Sequence, residues 1–268
     1  MQAVNLPAIA GWRWIKMGWE LFRQQPSGIF TWTMLISLVL IFSSLIAPIG
    51  PVIFIALVPT ITYLTLCACR QIHSGKKLLF PEWFTPLKQK PLVGKLLRLG
   101  LIYVGICLLA GLISFLPFSP QISQAVTILA EQDDLTPLVK ALNMPMMIFG
   151  ILYLLLAALF WYSPVLIGWH GFSIAKSLFF SAVACWRNKW ALILYAVIWA
   201  GIFTLIDLFL GVLVGIGLPL TLVAILQVPA NMVAGSVLYC SFYPTYITVF
   251  TEGRMAREMG PSTPADQS

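Results

Sequence analysis

The sequence predicts an all-α membrane protein: six transmembrane helices arranged as three helical hairpins, each preceded by an amphipathic interfacial helix. Three observations carry this prediction: an apolar composition, six apolar runs of spanning length, and basic residues confined to one side. Hydrophobic residues make up 60% of the 268 and charged residues 9%, against about a quarter charged in soluble domains. Mean hydropathy is +0.92, so lipid is the main solvent of this chain.

The apolar runs cover residues 28–47, 52–69, 97–117, 146–169, 191–213 and 231–250. Each approaches the roughly 20 residues needed to cross about 30 Å of hydrocarbon, where only a helix satisfies its own backbone groups. The first run is too long for a signal-peptide core and has no small-residue cleavage site behind it, so it reads as a retained span.

Ahead of it, residues 8–23 predict an amphipathic helix, with Ala8, Trp12, Ile15, Trp19 and Phe22 on one face and Arg13, Lys16, Glu20 and Arg23 opposite. An aromatic stripe backed by basic residues fits a helix lying in the membrane interface. Residues 47–51 form a tight first hairpin turn. The second hairpin has a longer outer segment, 119–143, whose Ile122, Val126, Ile128, Leu129 and Leu135 predict a helix along the outer surface. The third outer segment, 214–229, is almost wholly apolar and is either re-entrant or at the outer surface.

A repeat marks the entry to the odd spans: Phe22-Arg23-Gln24-Gln25-Pro26, Leu87-Lys88-Gln89-Lys90-Pro91 and Trp186-Arg187-Asn188-Lys189-Trp190. Each reads apolar, basic, amide, polar, then Pro or Trp, which suits a helix starting at the headgroup layer. The even spans echo one another through Pro59, Pro164 and Pro244. The chain is therefore read as one polytopic domain, 1–260, of three diverged units at about 8–70, 78–170 and 173–252, followed by a disordered tail at 261–268.

Fifteen of the sixteen Lys and Arg residues fall on one side of this topology; only Lys140 lies opposite, with Glu131, Asp133 and Asp134. Positive-inside bias predicts an inner-membrane protein with both termini cytoplasmic. Trp12, Trp14, Trp19, Arg23, Lys88, Trp186, Arg187 and Trp190 are the expected interfacial anchors. The expected partners are the bilayer and anionic headgroups at the cytoplasmic face, with a membrane-protein partner or a second copy left open. Nucleic acid is not expected, because the basic residues hug the ends of spans, where orientation alone explains them.

Chemistry is sparse. Asp207 is the one acid inside a span, and with Gln227 and Asn231 it forms a candidate polar cluster on the outer side, although its depth also fits an ordinary interfacial Asp. His73 and His170 lie near the cytoplasmic ends of spans without a carboxylate beside them, too few ligands for a metal site. The five cysteines sit in spans or on the cytoplasmic side and read as small core hydrophobes. Gly211 and Gly215 form a G-x-x-x-G that permits close helix approach. No nucleophile, base and metal set occurs, so no enzymatic activity and no cofactor is expected.

With W-R-W-I-K-M-G-W-E-L-F-R-Q-Q-P at its start and F-S-A-V-A-C-W-R-N-K-W before the fifth span, the chain resembles an uncharacterised family of six-span proteobacterial inner-membrane proteins, and more distantly the membrane region attached to some glycerophosphodiester phosphodiesterases. The resemblance covers nearly the whole chain and implies no functional residue. A structural or accessory role in organising lipid or a partner complex is the first functional expectation; a small-molecule or lipid transporter or flippase is the alternative. A cavity reaching the midplane, lined by Asp207, Gln227, Asn231 or tyrosines, favours the alternative; a solid bundle favours the first.

Overall fold

The computed structural model describes residues 3–250, with the side chain of Phe80 excepted. Arg254, Arg257 and the tail expected at 261–268 lie outside the described residues. Helix α1 covers Ala10–Gln24, α2 Pro26–Leu45, α3 Ile49–His73, α4 Phe80–Trp83, α5 Lys90–Phe115, α6 Ser119–Gln132, α7 Thr136–Phe160, α8 Ser163–His170, α9 Ile174–Arg187, α10 Lys189–Gly215 and α11 Leu220–Phe250. A 3-10 turn, Thr85–Lys88, joins α4 to α5. No strand occurs among the described residues. Six segments are long and apolar enough to span: Pro26–Leu45, Ile49–His73, Lys90–Gln132, Thr136–His170, Lys189–Gly215 and Leu220–Phe250.

Proline starts several of these helices, because its missing N–H is one of the unpaired donors of a first turn: Pro26 opens α2, and Pro91, Pro120, Pro137 and Pro164 lie in the first turns of α5, α6, α7 and α8. Glycines in the left-handed conformation, Gly75 and Gly171, follow α3 and α8, the usual way to end a helix without a Cβ clash.

Two boundaries differ from the sequence expectation. Residues 220–229 are not a separate outer segment but the first turns of α11, a helix of 31 residues with Pro229 and Pro244 inside it. Pro229 reads as a breaker in sequence, yet a membrane helix absorbs a proline when neighbours satisfy the freed backbone. The fourth span, conversely, is not one kinked helix. It breaks at Trp161-Tyr162, and Pro164 sits in the first turn of α8.

The long helices form a ring: α2 packs on α3, α3 on α5, α5 on α7, α10 on α11, and α11 returns to α2. Between α7 and α10 stands α9, which packs on α7 and leads directly into α10. Helix α1 lies against α11 and α10. Its buried face is Ala10, Gly11, Trp14, Ile15, Gly18, Leu21 and Phe22, a stripe turned away from the predicted one, which leaves Trp12 and Trp19 exposed at 49% and 45%. The glycines explain the turn. A Cβ at Gly18 would lie 2.6 Å from the Ser241 Cβ, and one at Gly11 would strike the Ala191 carbonyl, so backbone-to-backbone approach is possible only on this face.

Amide side chains pin α1 at both ends. At the junction of α1 and α2, Gln25 Nε2 donates to the Lys76 carbonyl at 2.6 Å and its Oε1 accepts from the Leu78 N–H at 2.7 Å. At the junction of α9 and α10, Asn188 Nδ2 donates to the Val4 carbonyl at 2.8 Å and its Oδ1 accepts from the Leu6 N–H at 2.9 Å. Each amide thus imitates a strand partner, gripping the carbonyl of one residue and the N–H of the next but one. The residue in the same place before α5, Gln89, has no side-chain hydrogen bond among the described residues. Truncation of a buried amide strands polar backbone groups at about 1–3 kcal/mol. Asn188→Ala and Gln25→Ala are therefore expected to lower the unfolding midpoint in detergent, Asn188→Ala more because Asn188 is buried, while Gln89→Ala leaves it unchanged. Equal midpoints for all three variants would refute the clamp.

Candidate functional site

The break in the fourth span leaves backbone groups that hydrocarbon cannot satisfy. Helix α9 supplies the remedy: Ser181 Oγ accepts from the Tyr162 N–H at 3.0 Å and donates to the Ala158 carbonyl at 2.9 Å. The interruption is thus held open as a fixed element of the fold. Trp161 projects from it toward α10 and α11, edge-on to Tyr195 at 6.2 Å and to Phe242 at 5.2 Å, with Nε1 3.4 Å from Thr245 Oγ1.

Beside this break, inside the ring, lies a cavity of about 260 Å³. Its walls come from α2 (Ile36), α3 (Phe54, Val58, Pro59, Ile61, Thr62, Leu66), α5 (Tyr103), α7 and the break (Tyr153, Ala157, Phe160, Trp161, Tyr162), Pro164 of α8, and α11 (Tyr239, Phe242, Thr245). Its volume is just below the range of about 300–1,000 Å³ typical of drug-sized ligands. No Asp, Glu, Lys, Arg or His contributes to the lining. Four tyrosines and two threonines do, so the space is aromatic with hydroxyls at its wall. The threonine hydroxyls donate to their own helices, at 2.9 Å for Thr62 and 2.7 Å for Thr245, but the tyrosines are loosely engaged: Tyr103 and Tyr153 lie 3.4 Å apart, and Tyr162 reaches the Thr245 carbonyl at 3.4 Å, long for O–H hydrogen bonds. Tyr153 is 44% exposed, so one wall of the cavity, on the side of α7 that meets Tyr103 of α5, opens to the surroundings of the bundle.

Thr62 and Leu66 line the cavity, and Arg70 follows on the same face of α3 at the same four-residue interval. One turn beyond Leu66 is about 6 Å along the axis. Here the Arg70 guanidinium lies over the Trp169 ring, 4.9 Å from its centre. Trp169 meets Tyr246 edge-on at 5.1 Å and Tyr243 at 6.4 Å. His170 Nε2 contacts the Tyr246 hydroxyl, and His73 packs on Tyr243. Among the described residues Arg70 forms no ion pair.

One curated relative fixes the context of this site. A probable inner membrane protein of Burkholderia thailandensis is 31% identical over 255 residues, covering 92% of this chain and 93% of the relative. The chain belongs to that protein's family. No family model matches the sequence, and no solved structure matches it significantly. The family shares an inner-membrane setting, as the relative's name and the six apolar helices here agree; the likeness to glycerophosphodiester phosphodiesterases finds no support.

In this family member the residues singled out from sequence are distributed as follows. Gln227 Nε2 donates to Asp207 Oδ1 at 3.3 Å, so α10 and α11 do bring these two together. The pair lies on an exposed face, Asn231 makes no hydrogen bond to either among the described residues, and none of the three lines the cavity. The polar cluster is thus a surface pair, not a pocket, because Asp207 points away from the ring interior. Asp207→Asn keeps an amide-compatible contact and is expected to leave expression and thermal stability within about 0.5 kcal/mol of wild type; a loss of complementation at normal abundance would contradict this. Trp12, Trp19, Arg23, Lys88, Trp186, Arg187 and Trp190 are exposed, whereas Trp14 is fully buried and its Nε1 donates to Thr248 Oγ1 at 2.8 Å. Lys189 lies 4.5 Å from the Trp186 ring and 5.8 Å from that of Trp190. The five cysteines are free, and no group of metal-binding side chains occurs among the described residues.

The tyrosines and Arg70 escaped the sequence reading as a site. They come from α3, α5, α7, α8 and α11, and no local spacing joins them. The interval Thr62, Leu66, Arg70 was the one readable sign, an apolar face ending in a cation.

Proposed function

We propose that this inner-membrane protein admits an amphiphilic small molecule or lipid from the bilayer into the tyrosine-lined cavity and returns it at another depth, the transporter or flippase reading. The observation that carries it is the cavity inside the ring, one of whose wall residues, Tyr153 of α7, is exposed to the surroundings of the bundle. The discontinuous fourth span supports it, since broken helices at midplane sites are a recurrent device of transporters. The lining bears no charged group, which suits an apolar or amphiphilic occupant better than a bare ion.

On this reading the chain is three hairpin units, each led by an interfacial helix, with both termini and the basic face cytoplasmic. The junctions at Gln25 and Asn188, each a single residue between a shorter helix and a long one, support it, as does the exposure of the aromatic and basic anchors other than Trp14. Those anchors rest on anionic headgroups of the inner leaflet. The accessory reading keeps one point in its favour, the scarcity of polar groups in the spans.

The test is photolabelling of the full chain in nanodiscs with a diazirine-bearing long-chain alcohol. The reading requires adducts on cavity residues of α3, α7 and α11, reduced when Ala157→Trp fills the space. Adducts confined to outward residues such as Leu205, Leu208 and Phe209 would rule it out.

A further inference from the structure

We infer that the ligand of the cavity is an anionic single-chain amphiphile, its phosphate or carboxylate held by Arg70 and its chain lying along Leu66 and Thr62. This deepens the proposed function and rests on it. Two observations made independently support it: an uncharged aromatic cavity, and a guanidinium on the same face of α3, about 6 Å beyond the last cavity residue of that helix.

Arg70 is exposed at the end of α3, with its guanidinium carbon 4.9 Å from the centre of the Trp169 ring, and no carboxylate among the described residues meets it. A guanidinium fork matches the paired oxygens of a phosphate or carboxylate, and an ordered one loses less entropy on binding. A cavity of about 260 Å³ takes one chain and not two. Charge at one end and an uncharged aromatic bed behind it select an amphiphile over an ion and over a neutral hydrocarbon.

The full-length protein in nanodiscs of neutral lipid is labelled with a diazirine-bearing dodecyl phosphate, and in parallel with the matching dodecanol. Wild type should be labelled in the cavity at about tenfold or more lower concentration of the phosphate, the ratio expected of a charge-assisted hydrogen bond. Arg70→Gln should abolish that ratio while leaving dodecanol labelling intact, and Arg70→Lys should keep part of it. The unchanged dodecanol labelling shows that Arg70→Gln still folds. Inorganic phosphate should compete only at far higher concentration. Equal labelling by both probes in wild type, or a ratio that survives Arg70→Gln, overturns the inference and leaves the proposed function standing. Full competition by inorganic phosphate at the probe's own concentration overturns it in favour of a free-anion site. No cavity adduct from either probe removes the proposed function and the inference together.

Discussion

A valine at Gly100 is expected to stop the ring from assembling. Gly100 lies on the face of α5 that meets α3, and a Cβ there would run into the Ala56 carbonyl. A flexible side chain could swing aside, but main-chain atoms in a hydrogen-bonded helix cannot, so the two helices must separate along their whole contact. Overpacking commonly costs about 1–3 kcal/mol, and an immovable obstacle puts Gly100→Val at or above the top of that range. Abundance in the membrane fraction and the unfolding midpoint in detergent report it. Gly105→Val is the control, on the same helix with nothing within 4 Å of its Cβ. Indistinguishable behaviour of the two variants would mean that α3 and α5 do not meet as described.

Trp161→Ala should loosen the joint of the fourth span with α10 and α11, with the next largest effect. Its indole bridges the broken fourth span to Tyr195 on α10 and to Phe242 and Thr245 on α11, and it is part of the cavity wall. Buried Trp→Ala substitutions cost about 3–5 kcal/mol, and Trp161 is half-buried, so a loss of roughly 2 kcal/mol is expected. Photolabelling of the cavity by dodecanol should rise at the same time, because the bridge that narrows the entrance is gone. Trp161→Phe keeps the edge-on ring contacts and should stay near wild type in both measurements. Unaltered labelling in Trp161→Ala would show that lipid reaches the cavity by another route.

Much of this fold was legible from residues alone, and the failures have identifiable causes. The six apolar helices announce themselves because burial in hydrocarbon leaves no alternative to long apolar runs. Helices of several turns precede the first and fifth spans, but before the third the chain forms only the four-residue α4 and a 3-10 turn. The buried face of α1 was not legible, because packing against α10 and α11 rewards the absence of a side chain at Gly11 and Gly18, which hydropathy does not register. Pro229 was read as a boundary and is interior to α11, since a proline's lost hydrogen bond is a local matter that neighbours can settle. The Asp207–Gln227 pair was legible as a contact; its exposure was not, because which side of α10 faces the ring is decided by partners distant in sequence. The cavity was beyond reach for the same reason. Its tyrosines are single residues on separate helices, each unremarked until the ring assembles.

The docking of α1 also bears on the order in which the molecule can be completed. Trp14 bonds to Thr248, 234 positions later, and Gly18 seats against Ser241. At a synthesis rate of about 5–20 residues per second, residues 10–24 wait roughly 10–50 seconds for the surface they fit. A chain interrupted before α11 should therefore leave residues 10–24 open to protease, while the protein with α11 in place shields them. Helix α1 acts as a latch that closes only once α11 has joined the ring.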